Sequence, residues 1–238
     1  MKYRTAKIIE IVLFLIFFSI LNLFCTKIAQ AKATPQEGEL QKVILIDPGH
    51  GDFDSGAISR SGLLEKDVNL SISLKLRDEL NKKGYLVLMT RETDKGLYRN
   101  EGSIRGKKYD DLNARCKMKN ESNCDMFISI HQNFFKDGSC RGAQVWYSRC
   151  EDSKALAQII MKNFKTDLDE KNHREEKPAR NDYKILRCYY NIPSVIVECG
   201  FLTNYNDEKK LKDEKYQQKI AESLAKSVSE YFSTEASM

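Results

Sequence analysis

The stretch Val43-Ile44-Leu45-Ile46-Asp47-Pro48-Gly49-His50-Gly51 limits what this chain can fold into more than any other segment does. Four consecutive apolar residues suit a strand covered on both faces, which calls for helices on each side of a sheet. The strand predicted over residues 42–47 runs into a Pro-Gly turn that delivers a histidine. Only three histidines occur in 238 residues, and strand ends are where α/β folds hold ligands and metals. Taken alone, the segment reads equally as a surface turn that contains His50.

The rest of the chain alternates strand and helix signals. A loop over 48–63 is rich in Gly, Asp and Ser. Leu64, Val68, Ile72, Leu76 and Leu80 then recur every four residues, predicting a helix from Glu65 that Gly84 stops. A second strand follows over 85–90, and 95–110 reads as an irregular exposed loop. A short helix over 111–122 carries Leu112 and Arg115. Strand signals recur at 126–130, ending in His131, and at 143–147, where Trp146 and Tyr147 suit core packing better than a sugar groove. A helix over 154–168 turns Leu156, Ile159, Ile160 and Phe164 inward. Residues 169–182 are charged and predicted exposed, Ile185 and Leu186 start a short strand, and 194–197 is the last core strand, ending in Glu198. An amphipathic helix covers 213–232. This alternation predicts one α/β domain over 42–234: a mostly parallel twisted sheet with helices on both faces.

The N-terminus reads as a targeting segment. Lys2, Arg4 and Lys7 precede an apolar run from Ile11 to Phe24, and Ala29-Gln30-Ala31 has the A-x-A form of a signal-peptidase site. Residues 1–31 are therefore expected to be a cleaved signal, with a membrane anchor over 8–24 as the alternative, and 32–41 a linker. Cys25 lacks the small preceding residues of a lipoprotein site. Without residues 1–31, which hold four basic residues and one acidic, 35 basic and 33 acidic residues remain, a net of +2. That balance and the absence of nucleic-acid motifs exclude a nucleic-acid binder. Six cysteines remain in the exported part; Cys116 with Cys124 and Cys140 with Cys150 are the local pairings to test.

In a parallel sheet the C-terminal strand ends share one edge, so His50, His131 and Glu198 converge there, with Glu65 opening the first long helix. Two histidines and one carboxylate make a usual shell for catalytic zinc with a fourth position left for water, and a second carboxylate then serves as base. Alternatives stand beside each residue. Glu65 also suits a helix first turn, and Glu198 a buried partner of Arg187. Asp47 either orients His50 or shapes the turn, and Ser129 and Asn133 support the His131 loop. His173, among charges, reads as a surface residue. Cys199 adjoins Glu198 but has no histidine left to activate it.

Several stretches together resemble the zinc-dependent N-acetylmuramoyl-L-alanine amidases of the Amidase_3 family. They are Ile46-Asp47-Pro48-Gly49-His50-Gly51, Gly62-Leu63-Leu64-Glu65-Lys66-Asp67, Thr90-Arg91-Glu92-Thr93-Asp94, Ser129-Ile130-His131-Gln132-Asn133, and Pro193 to Asn204, in the family's order. The small size, the leader and Arg141-Gly142-Ala143-Gln144 are similar to the CwlD-type amidases of spore formers. The resemblance implies one Zn²⁺ per chain held by His50, Glu65 and His131, with Glu198 as general base. It also implies cleavage between N-acetylmuramic acid and L-alanine in peptidoglycan, outside the cytoplasmic membrane. In a spore-cortex role the enzyme would act before a muramic acid deacetylase on the way to muramic-δ-lactam, with a membrane or lipoprotein regulator as an expected partner. The alternatives are a zinc peptidase of wall peptides, a general wall-turnover amidase and a non-catalytic muropeptide-binding module. Some relatives carry an inserted helix between the second histidine and the catalytic glutamate that plugs the site. Here His131 and Glu198 are 67 residues apart, filled by one strand, one helix and a charged loop at 169–182, so no such plug is expected.

Overall fold

The computed structural model describes residues 41–99 and 102–235. The expected leader and all of the expected linker except Gln41 lie outside the described residues. Among the described residues no helix is long and apolar enough to cross a membrane.

The order of elements is β1 (Val43–Pro48), α1 (Glu65–Lys82), β2 (Leu86–Met89), α2 (Ile104–Glu121), β3 (Met126–Asn133), β4 (Gln144–Tyr147), α3 (Glu151–Asp167), β5 (Lys177–Pro178), α4 (Lys184–Arg187), β6 (Ser194–Phe201), α5 (Tyr205–Leu211) and α6 (Glu214–Glu235). One sheet runs β2-β1-β3-β6-β4-β5. The pairs β2–β1, β1–β3, β3–β6 and β4–β5 are parallel; β4 lies antiparallel to β6. The direction of β4 follows from its connection: residues 134–143 are too few to cross back over the sheet, so the chain turns over the edge and descends.

Alternate residues of each strand feed two cores, as strand periodicity requires. Ile44, Ile46, Ile128, Val145 and Val197 pack with Val68, Ile72, Leu76 and Leu80 of α1 and with α3 and α6. Leu45, Phe127 and Ile196 face the other way, onto Cys116 of α2 and Ile185 and Leu186 of α4. Burying each such apolar side chain stabilises by about 1.5–3 kcal/mol. The α1 stripe is fully inside, with Ile72, Leu76 and Leu80 at 0% exposure. The fold class is thus as the alternation of signals implies.

Several boundaries differ from expectation. The helix α2 starts at Ile104, inside the expected loop, because Ser103 caps it by accepting a hydrogen bond from the Gly106 N–H at 3.2 Å. Its first turns carry Arg105, Lys107 and Lys108 and two flanking glycines, so no apolar stripe announces it. Ile185 and Leu186 lie in the single-turn helix α4 rather than in a strand, since a two-residue apolar run fits either state. The short helix α5 was not expected; Asn204 caps it, accepting from the N–H groups of Asn206 and Asp207. Both β3 and β6 run past their expected ends, so His131 and Glu198 sit within strands as opposed neighbours. Residues 169–182 are mostly exposed, with Asn172 and Ala179 buried and Asp169, Arg174 and Glu176 half-buried, and Lys177–Pro178 within them form the edge strand β5.

The disulfide joins Cys116 of α2 to Cys188 just after α4, with Cα atoms 6.0 Å apart. This corrects both local pairings, Cys116–Cys124 and Cys140–Cys150; Cys124, Cys140 and Cys150 are free thiols. Proximity in sequence was the wrong criterion, because α2 and α4 cover the same face of the sheet. Closing 72 residues of chain stabilises by about 4 kcal/mol on loop entropy.

Candidate metal centre

At the C-terminal edge of the parallel strands, His50, Glu65 and His131 offer ligand atoms that all lie within 4.8 Å of one another. Glu65 Oε1 stands 3.2 Å from His50 Nε2 and 3.0 Å from His131 Nδ1. Glu65 opens α1 and is 4% exposed. Its carboxylate is fixed by backbone donors, with Ala57 N–H giving to Oε2 at 2.8 Å and Gln132 N–H to Oε1 at 3.1 Å. Asn69 Nδ2, one helical turn on, adds a third donor at 3.4 Å.

His50 sits in the turn after β1 with φ of +62°, a left-handed conformation costing a non-glycine residue about 1–3 kcal/mol. The surrounding structure enforces it. The Pro48 carbonyl accepts from Arg91 Nε at 2.9 Å and Arg115 Nη1 at 2.8 Å. The Gly49 carbonyl accepts from Arg91 Nη2 at 3.0 Å and Asn69 Nδ2 at 3.2 Å, and the His50 carbonyl from Arg115 Nη2 at 2.8 Å. Three successive carbonyls are held by buried side chains. The ring itself is aimed by Asp54, whose Oδ2 is 2.9 Å from Nδ1. Two glycines make room: a Cβ on Gly49 would lie 2.2 Å from His131 Cε1, and one on Gly56 2.5 Å from Glu65 Oε2.

Asp47 lies beneath this turn, 2% exposed, and accepts from Thr90 Oγ1 (2.6 Å), Ser129 Oγ (2.7 Å) and Arg115 Nη1 (2.6 Å). Burial works against its charge, but Arg115 and the two hydroxyls hold its carboxyl below the ordinary range. Asp47 therefore acts on His50 through Arg115 and the backbone. Ser129 serves Asp47 rather than the His131 loop. Asn133, half-buried at the end of β3, accepts from Leu202 N–H through its carbonyl. Arg187 is exposed at the end of α4, and His173 is exposed as expected of a surface residue.

Glu198 pairs in register with His131 on one side and with Gln144 on the other. It is buried, and its Oε2 has no hydrogen-bond partner among the described residues. Burial pushes its carboxyl up to about 7, and His131, Glu65 and His50 are close enough to act on its charge. Cys199 points to the opposite face, into the core with Val197, and burial pushes its thiol well above the ordinary range. Residues 169–182 run along the outer edge of β4, where Arg174 Nη1 donates to Gln144 Oε1 at 3.0 Å.

These residues suit a divalent cation. Two imidazoles and a carboxylate converge, which is a zinc donor set. Burial disfavours a charged His50, yet Asp54 and Glu65 outweigh it and raise its pKa to about 9; they favour positive charge at this spot. The orphaned Glu198 oxygen faces the same neighbourhood without a donor of its own. Arg91, Gln132 and Arg115 lie in stretches picked out from the sequence but without a role there, and Asp54 and Asn69 are not singled out at all. Asp54, four residues past His50 in a Gly-rich loop, is the most visible of them.

Residues 44–230 match the family described as N-acetylmuramoyl-L-alanine amidase, Amidase_3. The germination-specific N-acetylmuramoyl-L-alanine amidase of Bacillus subtilis is 37% identical over 194 residues, covering 80% of each chain. The CwlD amidase from Clostridioides difficile, solved in complex with the GerS lipoprotein, superposes with a TM-score of 0.79 at 42% identity. That match covers 82% of this chain and 100% of that one. The catalytic domain of CwlV, an amidase from Bacillus (Paenibacillus) polymyxa, gives 0.70 at 29% identity, covering 81% and 99%. The chain belongs to the Amidase_3 family of N-acetylmuramoyl-L-alanine amidases.

Proposed function

We propose that this amidase holds one zinc ion per chain on His50, Glu65 and His131 and hydrolyses the bond between the lactyl group of N-acetylmuramic acid and L-alanine in peptidoglycan. Zinc in such a site supplies Lewis-acid polarisation of a carbonyl and brings the pKa of water close to neutrality. The protein does the rest. Glu198 takes a proton from the attacking water as the lactyl carbon–oxygen bond forms. It returns that proton to the alanine nitrogen as the carbon–nitrogen bond breaks, leaving a lactyl carboxylate and a free peptide amino terminus. Burial raises the Glu198 carboxyl from its ordinary value, the direction that suits a base which must also return its proton. Asp54 fixes which His50 nitrogen faces the centre, and Arg91 and Arg115 hold the turn. The unpartnered Glu198 oxygen, one strand from a metal-competent histidine, is the observation that carries this reading.

The setting is the spore cortex, where removal of stem peptides from selected muramic acids precedes deacetylation and closure of muramic-δ-lactam. Likeness to the germination-specific amidase and to CwlD supports it. An accessory lipoprotein, of the kind bound to the C. difficile protein, is the expected partner, and the enzyme works outside the cytoplasmic membrane. Two measurements test this. The purified protein is expected to hold about one zinc per chain, lost in His50→Ala. Spores lacking the gene are expected to lack δ-lactam; normal δ-lactam content would remove the cortex role and leave wall turnover.

A further inference from the structure

Beside the metal centre a cavity of about 160 Å³ opens between the β1 turn and α2. His50 and His131 form part of its wall, so whatever fills it lies against the metal ligands. The remaining wall combines an apolar side, Phe53 from the turn, Leu112 from α2 and Ile185 from α4, with the charged Asp54, Lys108, Asp111 and Arg115. At the rim Lys108 reaches across from α2 to Asp54, with Nζ 2.8 Å from Oδ1. Lys107 stands beside it, 5.8 Å from the Phe53 ring centre and 5.0 Å from that of Tyr98.

We infer that this cavity is the subsite for the first residue of the stem peptide, and that Lys108 at its rim recognises a carboxylate on the second. The inference rests on the amidase reading above and adds which side of the scissile bond goes where. Size decides the side. An apolar cavity of about 150 Å³ holds a benzene-sized guest of six heavy atoms. An alanine residue has five heavy atoms and one methyl; a muramic acid ring with its N-acetyl group is several times too large. The apolar surface from Phe53, Leu112 and Ile185 suits that methyl. Charge selects the second residue. A peptide leaving the cavity passes the two adjacent lysines of α2, and stem peptides carry an acidic residue after alanine. Lys108 is 51% exposed in its side chain, so its ammonium is open to a carboxylate arriving from solvent.

The test uses zinc-loaded protein and synthetic muramoyl dipeptides. The first residue is glycine, alanine, valine or leucine, and the second is glutamate with its carboxylates free or amidated. Wild type is expected to favour alanine over leucine. Leu112→Ala, which widens the cavity at a partly exposed position, is expected to reduce that preference in kcat/KM by about tenfold, the scale of a few methylene groups in an apolar pocket. Leu112→Trp, which fills it, is expected to depress alanine more than glycine. Lys108→Gln is expected to raise KM for the free-acid substrate by about two- to fivefold, the scale of a partly exposed ion pair. It should leave KM for the amidated substrate unmoved. An unchanged alanine-to-leucine ratio in Leu112→Ala, at wild-type zinc content and thermal midpoint, overturns the subsite. An equal KM change on free and amidated substrates overturns the role of Lys108. If wild type cleaves none of the muramoyl amides yet cuts free wall peptides, the amidase reading itself fails.

Discussion

The turn after β1 and the end of β6 flank the strand that carries His131, and they are built on opposite rules. In the turn, nothing polar is left to chance. The carbonyls of Pro48, Gly49 and His50 are each claimed by a buried side chain, and Arg115 and Asp47 pair at 3% and 2% side-chain exposure. At the end of β6 the structure withholds such satisfaction: Glu198 is buried, and one of its oxygens has no donor among the described residues. The first pattern overrides backbone strain to place an imidazole; the second raises a carboxyl's proton affinity by burial, which suits the two roles proposed for them. Holding a metal requires groups that do not move, whereas general-base work requires a group whose proton affinity lies near the working pH.

That contrast is broken most sharply at Glu198. Glu198→Gln keeps size and burial but removes the titrating oxygen. Activity on muramoyl-L-alanine is expected to fall by about 10²–10⁴-fold, the usual share of a positioned base, with zinc content unchanged. Loss of zinc together with activity would instead make Glu198 part of the binding half. The next effect falls on the other side. Arg115→Leu leaves Asp47 charged and buried without its counter-charge, frees the His50 carbonyl and leaves the Pro48 carbonyl to Arg91 alone. Stability measured by urea unfolding is expected to drop by about 3–5 kcal/mol, and zinc affinity with it. Arg115→Lys should recover only part, since an ammonium cannot bridge Asp47 and two carbonyls as a guanidinium fork does.

The same contrast explains what was legible in the sequence. The sheet and its flanking helices could be read because burial leaves periodic marks: Val68, Ile72, Leu76 and Leu80 announce α1, and the apolar runs announce β1, β3 and β6. The three proposed ligand residues and Glu198 could be singled out as rare polar types at strand ends or a helix start. The scaffold behind them could not. Arg115 and Arg91 do their work on backbone carbonyls in another element, and a charged residue in a helix looks the same in sequence whether it faces water or a turn 67 residues away. The N-terminal half of α2 was hidden for a related reason. It covers a site rather than a core, so its apolar and basic residues follow the cavity and not a helical stripe. The Cys116–Cys188 bond was missed because two helices on one face are neighbours only once the sheet exists.

The smallest expected effect concerns the join between the two halves. The loop that leads into Glu65 is tied to α5, which comes after β6, through Glu208: its Oε1 accepts from Ser59 Oγ at 2.6 Å and from Ser61 Oγ, and Lys212 pairs with it at 3.0 Å. Burial pushes this carboxyl up, but the two hydroxyls and Lys212 outweigh it and bring it from 4.5 down to about 2. A carboxyl lowered by folding stabilises the protein fully above its unfolded pKa and loses that contribution as pH falls through the folded one. The contribution should therefore be intact above about pH 5 and fade between about 4.5 and 2. Glu208→Gln keeps one acceptor but removes the charge, so it is expected to cost about 1 kcal/mol at pH 7 and to flatten the unfolding midpoint's dependence on pH across that acid window. Zinc affinity should hardly change, because Glu65 keeps its own donors from Ala57 and Gln132. A variant that instead lost zinc at pH 7 while staying folded would show that the loop is positioned from α5, and that the binding half is less self-contained than its hydrogen bonds imply.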